Sequence, residues 1–268
     1  KDKKSITAKE YRAIFKEAIE IRLRSDVPVG VSLSGGIDSS AITSVVYHDL
    51  KEKDIHTFSA IYGKNEWADE SDFIDTYKST LNNMHFTSPS AESFYNDFER
   101  FITTQGEPIS SIGPYAQYKV MELAKGNVTV TLDGQGADEQ LAGYHYFFGS
   151  YFKELLTSFK LFRLSKEIMY YIIKHKSLTA IKYMVFYLLP NSIKRNLGGK
   201  IYGYINNDFA KKWEKVSTLA DDLYNPKSLN ESLIDHFEYK LEHLLKWDDL
   251  NAMNFSIESR VPFLDHNL

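Results

Sequence analysis

Two short glycine-bearing runs hold the residue types that handle phosphate: SLSGGIDSS at Ser32–Ser40 and LDGQGADEQLAGY at Leu132–Tyr144. In the first, Gly35 and Gly36 let the main chain turn sharply and approach a ligand with no Cβ in the way. Their amides, with those opening a following helix, would form an anion cradle reinforced by the helix dipole. Ser34 and Ser39 add hydroxyl donors for phosphate oxygens, and Asp38 is a hard oxygen ligand suited to magnesium on the same phosphates. No lysine follows the glycines, so the run is not a Walker A loop. The bland alternative is a glycine turn capped by Ser and Asp. Its placement between a strand pattern and a helix pattern favours the phosphate loop.

The elements that position these runs follow from periodicity. Tyr11, Ile14, Phe15, Ala18 and Ile19 recur at helical spacing, and Val27, Val29, Val31 and Leu33 alternate as in a strand. Past the Gly-Gly turn, Ile42, Val45, Val46 and Leu50 return to the helical period. A second strand is predicted over Ile55–Ile61, a helix through Phe73, Ile74, Tyr77 and Leu81, and an extended piece over Met84–Thr87. Helices through Phe94–Ile102 and Tyr115–Glu122 precede a β-rich run, Asn127–Leu132. This rhythm predicts an α/β fold, a parallel sheet of about five strands with helices on both faces. Ligands of such sheets bind beyond the carboxyl ends of the strands, where both glycine runs fall.

From 151 to about 246 strand signals vanish and aromatic-rich helical patterns take over. The division expected is a core over 1–150, a helical region over 151–246, and a return to the core over 247–268. Between 151 and 200 the basic residues Lys153, Lys160, Arg163, Lys166, Lys174, Lys176, Lys182, Lys194, Arg195 and Lys200 far outnumber Glu154 and Glu167. A solvated helical face is the plainer reading of that excess, a polyanion contact the sharper one.

Composition sets outer limits. Of 268 residues 43% are hydrophobic and 25% charged, with a formal net charge of -4 and no cysteine. Disulfides, thiolate metal sites and cysteine nucleophiles are excluded, a reducing cytoplasm is the default location, and nothing global points to nucleic acid. No leader pattern follows Lys1–Lys4, and the greasiest stretch, Met184–Leu189, is too short to cross a bilayer. The chain starts at Lys1 and stops at Leu268 just past a motif that should run on, so it reads as an excised piece. His236 and His243, seven apart, are expected on one helix face without a third ligand. His56 and His85 read as strand-end polar residues, and the 18 Tyr and 17 Phe as core.

The phosphate run resembles the loop of the N-type ATP pyrophosphatases, which grips the β- and γ-phosphates while chemistry occurs at the α-phosphorus. Within that superfamily, DVPVGVSLSGGIDSS (Asp26–Ser40), LDGQGADEQLAGY and SIESRVPFLDH (Ser256–His266) resemble the C-terminal domain of the asparagine synthetase family. GEPISS (Gly106–Ser111) and ADES (Ala68–Ser71) fall where the family has similar segments. The resemblance implies an adenine nucleotide alpha hydrolase-like fold and ATP and Mg2+ as cofactors. It implies adenylation of a small-molecule carboxylate, release of pyrophosphate, and attack by ammonia drawn from a preceding glutaminase domain. Carried over, Ser32, Leu33, Ser34, Gly35, Gly36, Asp38, Ser39, Ala60, Asp133 and Gly134 bind ATP, Asp38 and Asp138 hold the metal, and Gln135, Asp138, Glu139 and Glu258 form the catalytic set. Glu258 and Arg260 could make a buried ion pair shaping the acyl pocket, or a purely structural one.

The chain departs from the family at Gln135, where a glutamate is usual and where glutamine cannot accept a proton. Asp133 replaces a serine, Leu250 a basic residue, and the family's late lysine would lie beyond Leu268. The resemblance implies aspartate as substrate, the departures widen the expectation to a related carboxylate, including sugar-linked ones, and the piece alone is expected to be inactive or weakly active. Two further readings stay open: an enzyme adenylating a tRNA base, and a degenerate ATP-binding domain. Oligomerisation is open as well, and no membrane partner is expected.

Overall fold

The computed structural model describes residues 6–63, 70–109, 111–194 and 219–268, with isolated positions 206, 208, 209 and 212 between them. The chain folds as two compact units, residues 1–137 with 243–268, and residues 138–242.

In the first unit, α1 (Ala8–Arg22) opens on a reciprocal cap: Glu10 N donates to Thr7 Oγ1 at 3.2 Å and Thr7 N to Glu10 Oε2 at 2.8 Å. Such a cap satisfies amides that the first turn leaves without partners. Then follow β1 (Val29–Ser32), α2 (Ile37–Ser44, running into a π-helical turn over Val45–Asp49), β2 (His56–Ala60), α3 (Ser71–Asp75), β3 (Asn83–Thr87), α4 (Ala91–Gln105), α5 (Gly113–Ala124) and β4 (Val130–Leu132). The chain continues through α6 (Ala137–Leu141), α7 (His145–Thr157), α8 (Leu161–His175), α9 (Thr179–Leu188), α10 (Leu219–Tyr224) and α11 (Leu229–Tyr239). Finally α12 (Leu241–Asn254) leads back to β5 (Glu258–Arg260) and a 3-10 turn at Pro262–Leu264.

The five strands are all parallel, in the order β3-β2-β1-β4-β5. The chain winds outward from β1 in one direction and resumes beside β1, at β4, in the other. That reversal opens a crevice at the carboxyl ends of β1 and β4. Each sheet face carries its own apolar layer: Phe15, Ile19, Val31, Leu33, Ile42 and Leu132 gather in one. Phe58, Phe101, Tyr118, Met121, Ala252 and Phe255 gather in the other. Each such side chain contributes roughly 1.5–3 kcal/mol on burial, so the layers hold the crevice edges rigid.

The predicted α/β fold with a five-stranded parallel sheet is the fold observed, and its helices flank both faces. The helix expected through Leu81 is shorter: α3 ends at Asp75 and turns follow. One strand, β5, had no signal of its own at three residues. The pair Glu258–Arg260 forms at 2.8 Å, but the Glu258 side chain is 61% exposed, so it is not buried. Arg260 instead donates from Nη1 to Arg22 O at 2.7 Å and Arg24 O at 2.9 Å, closing the carboxyl end of α1. His236 and His243 share no helix face, because α11 stops at Tyr239 and α12 starts at Leu241. His56 Nδ1 lies 3.0 Å from His85 Nε2 across β2 and β3. Ala68 and Asp69 of ADES, Ser110 of GEPISS, and the basic residues Arg195 and Lys200 lie outside the described residues.

In the second unit, Phe152, Leu155, Leu164, Tyr171 and Ala180 form the core between α7, α8 and α9. Lys194 is buried, its Nζ donating to Tyr187 O, Tyr224 O and Asn225 Oδ1 at 2.7–3.1 Å, as a buried ammonium requires. No described helix is long and apolar enough to cross a membrane. His236 is buried, stacked on Tyr146 at 4.5 Å between ring centres, with Nδ1 donating to Ser232 O at 2.7 Å. Burial, with the Lys240 charge nearby, lowers its pKa to about 4. The unfolded imidazole binds a proton near pH 6.5. Between these values the unfolded chain holds more protons, so stability falls as pH falls through that window. Thermal melts at pH 7 and pH 5 check this: His236→Gln should lose less melting temperature on acidification than the parent.

Candidate functional site

The loop after β1 is built by its own side chains. Leu33 N donates to Phe58 O at 2.9 Å, and Ser59 Oγ to Leu33 O at 2.6 Å, which fixes the strand end. Gly35 then takes φ +91°, and a Cβ there would stand 3.0 Å from Glu70 O, so glycine is required on two counts. Ser34 Oγ accepts from Gly36 N at 3.2 Å and lies 3.0 Å from Ser39 Oγ, which in turn accepts from Ser34 N at 3.2 Å. The two hydroxyls thus stitch the turn to the first turn of α2, whose cap is Gly36 in extended conformation. Ser34 is exposed, Asp38 half-buried and Ser39 buried. A glycine turn that opens a helix in this way favours anions.

Gly134 brings the second run to the first. A Cβ added there would lie 3.3 Å from Asp38 Cβ and 3.5 Å from Ser39 N. Strands β1 and β4 pair as Val31 with Leu132, so the loops beyond them leave the sheet side by side. Asp133 N donates to Arg260 O at 2.8 Å, which extends the β4–β5 ladder to the loop. Asp133 is buried beneath the crevice floor, accepting from Thr131 Oγ1 at 2.8 Å and touching Ser259 Oγ at 3.0 Å. Burial raises its pKa, which the Ser32, Thr131 and Ser259 hydroxyls oppose. Ser32 Oγ is itself buried and makes no hydrogen bond of ordinary geometry. Ala60 ends β2, next to β1 on the side away from β4.

Asp138 and Glu139 open the second unit. A Cβ at Gly143 would fall 1.7 Å from Asp138 Oδ1, while Gly143 N donates to Asp138 O at 3.0 Å, so the AGY turn wraps directly over that carboxylate. The Tyr144 hydroxyl hydrogen-bonds with both carboxylates. Burial raises the pKa of Asp138 and of Glu139, while the Lys240 charge offsets the rise at Glu139. Burial and these two anions together push the Tyr144 phenol up, so it stays a donor. Gln135 is half-buried in the loop between Gly134 and Gly136.

Of the residues singled out in the sequence, the structure gathers Ser32, Leu33, Ser34, Gly35, Gly36, Asp38, Ser39, Asp133 and Gly134 at one end of β1 and β4. Glu258 is set apart. It pairs with Val130 at the start of the strands, on the sheet face opposite Ser259. Sequence reasoning missed Tyr144, Gly143, Ser259 and Asp248. Ser259 lies on a strand of three residues, too short to show a period, so the sequence carried no signal for it.

A parallel sheet with this switch point and these paired loops defines an α/β unit of the adenine nucleotide alpha hydrolase-like class. The chain belongs to the asparagine synthase family, whose model matches residues 10–268. It is similar to asparagine synthetase [glutamine-hydrolyzing] 1 of Bacillus subtilis, with 33% identity over 52% of this chain and 22% of that protein. Asparagine synthetase [glutamine-hydrolyzing] 3 of the same organism is 25% identical over 98% of this chain and 41% of its own length. Amidase chyE of Penicillium rubens is 24% identical over 94% of this chain and 43% of its length. The chain therefore spans less than half the length of these relatives.

Gly35→Ala should cost about 1–2 kcal/mol from the left-handed conformation alone. Thermal melts of parent and variant would check this, and a melting temperature equal to the parent's would contradict it.

Proposed function

We propose that this chain is the ATP-using part of an amide-forming synthetase. A substrate carboxylate oxygen attacks the α-phosphorus of ATP, the bond to the β-phosphate oxygen breaks, and pyrophosphate leaves. A nitrogen nucleophile then attacks the acyl carbon, and AMP departs with the former carboxylate oxygen. The single observation supporting this reading is the approach of Gly134 to Asp38 and Ser39, which joins the phosphate loop to the second glycine run.

The residues have distinct parts in this reading. Amides and hydroxyls of Ser34, Gly35, Gly36 and Ser39 bind the β- and γ-phosphates, where fixed donors stabilise charge on the leaving pyrophosphate. Ser32, Leu33, Ala60, Asp133 and Gly134 line the adenosine side. Ser32 Oγ, buried and without a partner of ordinary geometry, fits a ligand contact. Asp38 and Asp138 are the hard oxygen donors a Mg2+ on those phosphates would use. The described residues contain no cluster of three acid, His or Cys side chains that could hold an ion by themselves. That donor set fits magnesium, which commonly takes one or two carboxylates and completes its shell with phosphate and water. Such an ion would supply charge neutralisation on the pyrophosphate.

Glu139, buried and hydrogen-bonded to Tyr144, is the group that can accept a proton from the incoming nitrogen. Gln135 cannot do so and is left to orient by hydrogen bonds. Glu258, exposed at the start of β5, is not given a part in the chemistry. The nitrogen comes from glutamine through a glutaminase domain of the whole protein, in keeping with the glutamine-hydrolyzing synthetases of Bacillus subtilis. The whole protein would act in the cytoplasm.

ATP–pyrophosphate exchange in the full-length protein, with a panel of carboxylates, tests the reading. Exchange should depend on one carboxylate; exchange stimulated by tRNA, or none with any carboxylate, would contradict it. A second outcome concerns Gly143→Ala, which drives a methyl into the Asp138 carboxylate. It should raise the Mg2+ concentration needed for half-maximal exchange by on the order of 10-fold, the worth of one charge-assisted contact.

A further inference from the structure

Asp133 and Asp248 are buried together in the α/β unit, 5% and 3% exposed. Neither forms an ion pair with a described Lys or Arg. One hydroxyl joins them: Ser259 Oγ is 3.0 Å from Asp133 Oδ2 and also hydrogen-bonds Asp248 Oδ2. A serine hydroxyl carries one proton, and an ionised carboxylate carries none. Two hydrogen bonds converging on that oxygen therefore need a second proton, which only a carboxyl can supply.

The surrounding donors favour one carboxyl. Asn251 Nδ2 donates to the main-chain oxygen of Pro114 at 2.9 Å, so the nitrogen of that amide faces this side. The same nitrogen donates to Gln117 Oε1 at 2.8 Å, while Asn251 Oδ1 accepts from Gln105 Nε2 at 2.7 Å. With its oxygen so engaged, Gln117 must turn its Nε2 to Asp248 Oδ1, which it reaches. Asp248 Oδ1 is then an acceptor, and Oδ2 is the oxygen left to carry a proton toward Ser259. Asp133 Oδ2 already accepts from Thr131 Oγ1 at 2.8 Å, and it takes the Ser259 proton as well. This arrangement satisfies every group in the chain Gln117–Asp248–Ser259–Asp133–Thr131, and it places the charge where more donors converge: Thr131 and Ser32 face Asp133 in addition to the shared Ser259, against Gln117 alone at Asp248.

We propose that Asp248 is held as a neutral acid near pH 7 and acts as a positioning residue, fixing an ionised Asp133 at the carboxyl end of β4 through Ser259. Other groups around the pair push the same way. Burial raises both carboxyls, and the charges of Asp133 and of exposed Asp249 raise Asp248 further. The elements packed on the pair bring Ser32 from β1, Thr131 from β4, Gln117 from α5 and Ser259 from β5, all uncharged. Arg260 of β5 is turned away to Glu258 and the end of α1. A fixed anion one residue before Gly134 is suited to accept hydrogen bonds from hydroxyl or amino groups of the nucleoside. That consequence rests on the nucleotide reading above, whereas the location of the proton does not.

The test uses the full-length protein and reads the proton directly. Infrared spectra at pH 7 of protein labelled with 13C-carboxyl aspartate should show a protonated-carboxyl band. The band should vanish in Asp248→Asn and persist in Asp249→Asn. A 13C carboxyl titration of the unmutated protein should independently show one aspartate still protonated at pH 7. Absence of both signals overturns the proposal. For positioning, Asp248→Asn keeps a donor toward Ser259 and should leave the ATP KM within about 3-fold of the parent, while Ser259→Ala should raise it on the order of 10-fold. The KM for the carboxylate should not move. An unchanged ATP KM in Ser259→Ala overturns the positioning role. A protonated Asp248 in a protein without any ATP-dependent exchange would uphold the proton and remove the synthetase reading instead.

Discussion

The close approach of Gly134 to Asp38 is the constraint on which the site depends. It follows from the order of strands: β4 enters the sheet beside β1 and runs parallel to it, so their end loops must share one crevice. At that meeting point a Cβ on residue 134 would stand 3.3 Å from Asp38 Cβ, slightly tight, and 3.5 Å from the amide of Ser39, in ordinary contact. The phosphate loop and the second glycine run are therefore packed against each other at van der Waals distance. Ser34 and Ser39 hold the near half through their paired hydroxyls, and the Asp133–Arg260 main-chain bond holds the far half.

Polar burial does more than apolar burial to define the carboxyl end of β4. Residues of four elements and one loop converge there: Thr131 from β4, Asp133 just past it, Ser259 from β5, Asp248 and Asn251 from α12, and Gln117 from α5. Buried polar groups are tolerable only when all find partners, and a network with one consistent proton arrangement is more specific than interchangeable apolar contacts. The apolar layers on each sheet face supply the stabilisation, and the network sets where the loop leaves the strand. A polar substitution inside it would disturb geometry before it disturbed the fold.

Much of this was legible in the residues. Val29 and Val31 alternate, Gly35 and Gly36 follow, and helical spacing resumes at Ile42, so strand, turn and helix could be placed around the loop. The parallel sheet followed from repetition of that pattern. What escaped had physical reasons. A strand of three residues such as β5 shows no period, and α3 ended where Thr76 and Tyr77 begin a series of tight turns. Asp248 went unremarked in the sequence, because its burial is decided with Ser259 and with Gln117, distant in sequence. His236 and His243 were expected on one face because no glycine or proline marks the break at Lys240. The Glu258–Arg260 contact was anticipated but not its exposure, since the arginine is recruited to carbonyls of α1 more than two hundred residues away.

A crystal structure of the full-length protein with a non-hydrolysable ATP analogue and Mg2+ is the most direct measurement. The β- and γ-phosphates should rest on the amides between Ser34 and Ser39, with the metal on Asp38. A nucleotide bound elsewhere, with that loop untouched, would contradict a phosphate site at the β1–β4 crevice.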